Sequence, residues 1–183
     1  MTEISMLGAR ARSGSAGAEA RVNHLDQMGN KAREMVIALD EIVWAMNPTH
    51  DSLASMISYF SLYAERFLGL AGVAWRLESP FVADDCQVDS RRRHQLFLAF
   101  KEALNNVVRH SRATEVRVNF QVKPGWICLR VADNGRGWAE GDRTQEMDGV
   151  ANMRRRLEKM GGRFELQSKP GEGMAVGFDL PLN

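Results

Sequence analysis

Residues 96–111 read LFLAFKEALNNVVRHS. The apolar members Leu96, Phe97, Phe100, Leu104, Val107 and Val108 recur at helical spacing, which marks one face of a helix for burial. On the other side, Glu102, Asn106 and Arg109 fall within an arc of about 60°. That face presents a carboxylate, an amide and a guanidinium together. An amide oxygen is a hard ligand suited to Mg²⁺. A carboxylate one turn away can accept a proton or position water or metal, and an arginine neutralises phosphate. Taken alone, the pattern equally describes an amphipathic helix with a polar outer face.

Reading outward, Asp89 or Ser90 starts this helix and it runs to about His110. Downstream, Glu115–Val122 and Trp126–Ala132 alternate as two strands around the turn Lys123-Pro124-Gly125. Gly149–Met160 is a short amphipathic helix with Val150, Met153, Leu157 and Met160 on one side, closed by Gly161-Gly162. Arg163–Ser168 and Met174–Leu180 form a second hairpin around Lys169-Pro170-Gly171-Glu172-Gly173. Upstream, Val73–Glu78 reads as a strand. Asp51 or Ser52 caps a helix that runs to about Leu70. Before it, Asn47-Pro48 ends a long helix from about Glu19 to Met46. Its apolar residues Leu25, Met28, Ala32, Met35, Leu39, Ile42 and Met46 keep a 3–4 spacing, a heptad seam that points to a helical bundle. Met1–Arg12 reads as a further helix and Ser13–Gly17 as a turn. The sum is an α+β chain: a helical segment over 1–47, then an α/β layer with an antiparallel-rich sheet over 48–183.

Composition narrows the function. Across 183 residues, 24 Lys and Arg face 23 Asp and Glu, so nothing calls for a polyanionic partner, and direct nucleic-acid binding is not expected. The runs Arg91-Arg92-Arg93 and Arg154-Arg155-Arg156 read as solvated helix faces. The two cysteines, Cys86 and Cys128, have no metal-ligand spacing and suit a reducing cytoplasm. The longest apolar run, around Phe67–Trp75, is too short to cross a bilayer. Any membrane anchor is expected upstream of Met1.

Three further motifs carry chemistry. Asp133-Asn134-Gly135-Arg136-Gly137 follows a strand; its glycines let a ligand approach the backbone, and Asp133 can accept a hydrogen bond from an exocyclic amine. Gly149 enters a helix, Asp148-Gly149-Val150-Ala151-Asn152-Met153-Arg154-Arg155-Arg156, whose first turn has free amide groups to cradle phosphate. Gly171-Glu172-Gly173 precedes the last strand.

The order and spacing of all four are more telling than any one. The motifs ExxxN (Glu102, Asn106), DxGxG (Asp133, Gly135, Gly137), GxxNMRxR (Gly149, Asn152, Met153, Arg154, Arg156) and PGxG (Pro170, Gly171, Gly173) resemble the nucleotide-binding boxes of the GHKL ATPases. That superfamily includes histidine kinases, DNA gyrase, the Hsp90 chaperones and MutL. The wording of residues 96–111 and of NMRRRLEKMGG is most similar to sensor histidine kinases that pair with LuxR-type response regulators. Leu39–Pro48 resembles the end of their second dimerisation helix. The resemblance implies a Bergerat-fold two-layer α/β sandwich behind an N-terminal helical hairpin segment, with ATP and Mg²⁺ as cofactors. It implies that Asn106 binds Mg²⁺, that Glu102 is the base or water-positioning group, and that Asp133 binds the adenine amine. Gly135 and Gly137 shape the nucleotide wall. Trp138–Asp148 forms a mobile lid with Gly149 at its far hinge. Arg109, His110, Asn152, Met153, Gly171 and Gly173 complete the nucleotide contacts.

The chain departs from the family in two places. Met174 stands where a Thr is common, which removes a hydroxyl expected at the phosphate. The phosphoacceptor His belongs just before a segment like Thr2-Glu3-Ile4, hence upstream of Met1. His50-Asp51 imitates the acceptor pair but follows Asn47-Pro48 and reads as a helix start, while His24 and His94 read as surface residues. The expected function is therefore the ATP-binding catalytic region of a cytoplasmic histidine kinase, dimeric through its helical hairpin, with a response regulator as partner. Two alternatives share the fold: a serine kinase of the anti-sigma-factor type, and a non-catalytic docking module with a degenerate ATP site.

Overall fold

The computed structural model describes residues 18–47, 51–79, 86–138 and 147–182. The helix expected over Met1–Arg12, the turn at Ser13–Gly17, Pro48, His50 and residues 139–146 of the expected lid lie outside them. The chain divides into two compact units, Met1–Trp44 and Ala45–Asn183.

In the first unit lies most of helix α1, Ala18–Met46. Its heptad positions Leu25, Met35, Leu39, Ile42 and Met46 are all exposed in the single chain, between 47% and 61%.

The second unit begins with the last residues of α1. Helix α2, Leu53–Leu70, starts at Ser52, whose hydroxyl accepts a hydrogen bond from Ser55 N–H at 3.2 Å. It ends at Ala71, and Gly72, with φ +70°, turns the chain. Strand β1, Ala74–Glu78, follows. Helix α3, Ser90–Asn106, is capped by Asp89, which accepts from Arg92 N–H at 2.9 Å. Strands β2, Glu115–Lys123, and β3, Trp126–Asp133, form the first hairpin. Helix α4, Met147–Glu158, precedes the second, β4, Arg163–Lys169, and β5, Gly173–Pro181.

The five strands lie in the order β1-β2-β3-β5-β4. Only β1 and β2 pair in parallel, with α3 in the connection between them. One face of the sheet is apolar through the alternation of Val116, Val118 and Phe120 on β2, Ile127, Leu129 and Val131 on β3, and Val176, Phe178 and Leu180 on β5, all buried. The helices cover that face. Phe60 of α2 is the centre of the packing, with ring centroids 5.2 Å from Phe97, 5.0 Å from Phe100 and 5.8 Å from Phe120. On the α4 side, Met153 and Leu157 are buried, and Arg154 lies 5.1 Å over the Phe164 ring. The result is the expected α+β two-layer sandwich.

The basic run at the start of α3 departs from the expectation of a solvated face. Arg91 is exposed and Arg92 half-buried, but Arg93 is fully buried at 0%. Of the histidines read as surface residues, His94 is half-buried.

Candidate functional site

The site begins where α3 stops being an α-helix. Leu96, Phe97, Phe100, Ala103 and Leu104 face the sheet, while Lys101, Glu102, Asn105 and Asn106 lie half-buried on the other side. At Val107 the helix widens into a π-helical turn, Val107–Ser111, which ends at Arg112 in the left-handed conformation, φ 56°. A wider turn advances less per residue, so the phase of the wheel slips. Val108, expected in the core, is 38% exposed, and Ser111 is turned inward at 6%.

Ser111 then stitches the helix end to the glycine loop after β3. Its hydroxyl donates to the Val107 carbonyl at 2.8 Å and accepts from Ala113 N–H at 3.0 Å. Its carbonyl accepts from Arg136 N–H at 2.8 Å, and Arg136 Nε donates to the His110 carbonyl at 2.8 Å. Asn134 fixes the other side, its Oδ1 accepting from the N–H groups of Thr114 and Glu115.

Asp133 closes β3 and is only 8% exposed. Its Oδ1 accepts from Gly135 N–H at 2.8 Å. Burial holds its carboxyl above the ordinary aspartate value, although hydrogen bonds from the Gly135 and Met174 amides pull the other way. A buried carboxylate with a cavity before it is a strong acceptor for an N–H donor that displaces water.

The glycines are required by backbone crossing. A Cβ on Gly135 would lie 2.2 Å from the Ser111 carbonyl oxygen, and one on Gly173, φ +81°, 1.9 Å from that of Asp133. Gly137 is pressed in the same way against Lys169. Gly171, φ +79°, has open space around it and serves the turn alone, its N–H donating to the Arg136 carbonyl at 2.6 Å.

Two cavities hold the sequence-predicted residues. The first, a cleft of about 10 Å³, room for about one water, is lined by Asn106, His110, Ser111, Asp133, Gly137, Trp138 and Met174. The second, of about 430 Å³, lies between α3 and α4 and is lined by Leu98, Lys101, Glu102, Asn105, Asp148, Gly149, Asn152, Met153 and Arg156. Gly149 joins them. A Cβ built there would sit 2.4 Å from Glu102 Oε1 and 3.7 Å from Asn106 Nδ2, so the first turn of α4 rests against both side chains. Gly135 and Gly173 support Asp133 from behind. Arg109 is exposed and lines neither cavity, and neither does Gly171.

Sequence reasoning did not single out Ser111, Lys101 and Asn105, and it named Trp138 only as the start of the lid. Trp138 is anchored by its N–H to Ser168 Oγ at 2.8 Å. The α4 helix takes in Met147 and Asp148, which were expected to be lid. Met174 pairs with Asp133 across the β3–β5 ladder and lines the cleft beside it. The missing hydroxyl therefore concerns the Asp133 end of the site.

The residues fit the groups that the motifs imply. Asp133, backed by rigid glycine backbone, offers a buried acceptor to an amine, and a base would have to widen the one-water cleft before it. Among the described residues no three His, Cys, Asp or Glu side chains converge. Mg²⁺ is commonly bound by one or two protein oxygens plus substrate phosphate, and the Asn106 amide at the cleft suits that role.

Known proteins resemble this chain in sequence and in fold. Residues 92–183 match the family described as histidine kinase-, DNA gyrase B-, and HSP90-like ATPase. The sensor protein VraS of Staphylococcus aureus (strain COL) is 33% identical over 99 residues, 54% of this chain and 28% of VraS. That of Staphylococcus saprophyticus is 34% identical over 88 residues, 48% of this chain and 25% of the relative. The match thus spans little more than a quarter of these relatives. Among solved structures, the histidine kinase domain of a blue-light activated kinase from Erythrobacter litoralis superposes with a TM-score of 0.62 at 16% identity, covering 98% of this chain and 93% of that one. The Acinetobacter baumannii histidine kinase AdeS gives 0.62 at 15% identity, covering 98% and 95%. At these identities the likeness bears on the fold.

Proposed function

The chain belongs to the histidine kinase-, DNA gyrase B-, and HSP90-like ATPases, and from that premise we propose that it is the ATP-binding catalytic region of a sensor histidine kinase. It passes the γ-phosphoryl group of ATP to a histidine on a dimerisation helix upstream of Met1, and thence to a response regulator of the LuxR type. The observation that carries this reading is the meeting of Glu102, Asn106 and Gly149, with Asn106 opening into the same cleft as Asp133.

Asp133 accepts a hydrogen bond from the adenine amine, and Gly135 and Gly137 keep the wall beside it flat. The free amides of the first turn of α4 face the phosphates. Asn106 would hold Mg²⁺, which when bound would supply neutralisation of phosphate charge. Glu102, in the wider cavity, stands on the attacking side, where it accepts the proton of the incoming imidazole or orients it. His110 is a phosphate-side contact at the edge of the cleft. Catalysis of this kind rests on positioning, which a rigid sheet end and a stitched helix end supply.

The exposed heptad face of α1 supports a homodimer through the helical hairpin. The reading places the domain in the cytoplasm. Among the described residues no helix is long and apolar enough to cross a membrane.

The test is incubation with γ-labelled ATP and Mg²⁺, with and without a separate hairpin carrying the acceptor histidine. Acid-labile label on the hairpin, and none on this chain alone, is expected. Asn106→Ala should abolish it without unfolding the chain. Acid-stable label on an added protein would favour the serine kinase instead. Met174, an apolar thioether against Asp133, favours one other reading, a docking module that binds a regulator without turnover, which would give no label on either.

A further inference from the structure

Arg93 is a charged side chain with no exposed surface. A buried guanidinium is costly unless its donors are matched. Nη1 donates to the Val88 carbonyl at 3.4 Å, and further partners come from a segment more than forty positions earlier. Nη1 donates to Asp51 Oδ1 at 2.6 Å, and Nη2 donates to the carbonyls of Ala45 and, at 3.1 Å, Asn47. Ala45 belongs to the last turn of α1, whose terminal carbonyls have no partner within the helix. That turn holds no basic residue of its own. Arg93 therefore provides from α3 the cation that a helix C-terminus favours. Asp51 is held a second time by its backbone, with Val88 N–H donating to the Asp51 carbonyl at 2.7 Å and Leu53 N–H to that of Cys86 at 2.9 Å.

The clamp sits on the first turn of α3. Glu102 lies nine positions further along that helix, about 14 Å away, and Asn106 one turn beyond it. One rigid element thus carries the grip on the chain leaving α1 at one end and the nucleotide-facing residues at the other.

We propose that Arg93 is a positioning residue. Its fork fixes the segment Ala45–Asp51, where α1 ends, on α3, so that this segment and the Glu102–Asn106 end of the site keep one geometry. Lysine cannot replace the fork, because one ammonium does not span a carboxylate and two carbonyls in a planar array.

The test uses the full chain with spin labels at two exposed positions, Met46→Cys and Gln121→Cys, in a Cys86→Ser background; Cys128 is buried and its thiol is pushed up by burial. The readouts are the inter-label distance distribution and the calorimetric affinity for Mg²⁺-ATP. The unmodified clamp should give a narrow distribution. Arg93→Met should broaden it with Mg²⁺-ATP affinity unchanged, and Arg93→Lys should restore it in part. Asp51→Asn, which removes the ion pair and leaves the carbonyls bound, should broaden it less, and serves if Arg93→Met does not fold. A distribution as narrow in Arg93→Met as in the parent, or a parent that is already broad, would overturn the proposal. Absence of Mg²⁺-ATP binding in the parent would instead count against the functional reading, while the widths still decide the clamp.

Discussion

Gly171 and Gly173 offer a matched pair of substitutions. Both have left-handed backbone, φ +79° and +81°. Alanine at either costs about 1 kcal/mol for that conformation. At Gly171 nothing lies within 4 Å of the added Cβ, so the conformational cost stands alone. At Gly173 the Cβ would meet Asp133 O at 1.9 Å, Asp133 C at 2.8 Å and Gly135 N at 3.1 Å. These are backbone atoms, and Asp133 is held in the β3–β5 ladder opposite Met174, so neither side yields without breaking strand pairing. Overpacking of this kind adds about 1–3 kcal/mol, for a total of roughly 2–4 kcal/mol. With about 2–4 °C of Tm per kcal/mol for a chain of this size, Gly171→Ala should melt a few degrees low and Gly173→Ala roughly 10 °C low in scanning calorimetry. Because the displaced atoms carry Asp133, Gly173→Ala should also lose Mg²⁺-ATP affinity, and Gly171→Ala should keep it. Equal melting shifts for the two, or a Gly173→Ala protein that binds nucleotide as the parent does, would refute the claim that backbone crossing fixes the geometry at Asp133.

Other substitutions separate stability from chemistry. Gly149→Ala places a methyl against the end of a flexible side chain, Glu102, and alanine favours the helix by about 0.5–1 kcal/mol; its stability should hold or rise while phosphoryl transfer slows more than nucleotide affinity falls, as labelled-ATP kinetics would show. Phe60→Ala removes the ring that three phenylalanines share and should cost about 3–5 kcal/mol in denaturant unfolding. For Asp133, burial raises the folded-state carboxyl above its unfolded value. The ionised form therefore lowers stability at neutral pH, and as pH falls through the raised folded value the folded state takes up the proton first. The parent should gain stability relative to Asp133→Asn, in full below about pH 3.9; a stability difference flat with pH, from urea unfolding, would contradict the buried charge.

Most of the architecture was legible because it rests on local signals. Lys123-Pro124-Gly125 and the Lys169–Gly173 turn frame strands whose alternation separates the two faces, and Asp89 and Ser52 cap helices as their chemistry requires. The four glycine and acidic motifs were visible because backbone crossing leaves only glycine at 135, 137 and 173. What was hidden depends on tertiary contacts. A wheel drawn at constant pitch cannot foresee the π-helical turn, so Val108 was placed in the core and Ser111 was overlooked. Arg109, grouped with Glu102 and Asn106 by the same projection, is exposed and lines neither cavity. Arg93 looked like its neighbours in a basic run, since nothing local reveals that Ala45, Asn47 and Asp51 enclose it. The position of Met174 beside Asp133 follows from strand register across the sheet, which the hairpin sequence does not state.

The central claim is that Asp133 reads the amine of an adenine base, and purine riboside triphosphate tests it because it differs from ATP only by a hydrogen in place of that amine. Calorimetric titration of the chain with each nucleotide and Mg²⁺ should show ATP binding about ten-fold or more tighter, the worth of one hydrogen bond to a charged acceptor. Asp133→Ala should weaken ATP to the level of the amine-free nucleotide and leave purine riboside triphosphate little changed. Equal affinity of the parent for the two nucleotides, or an Asp133→Ala protein that still prefers ATP, would contradict the account.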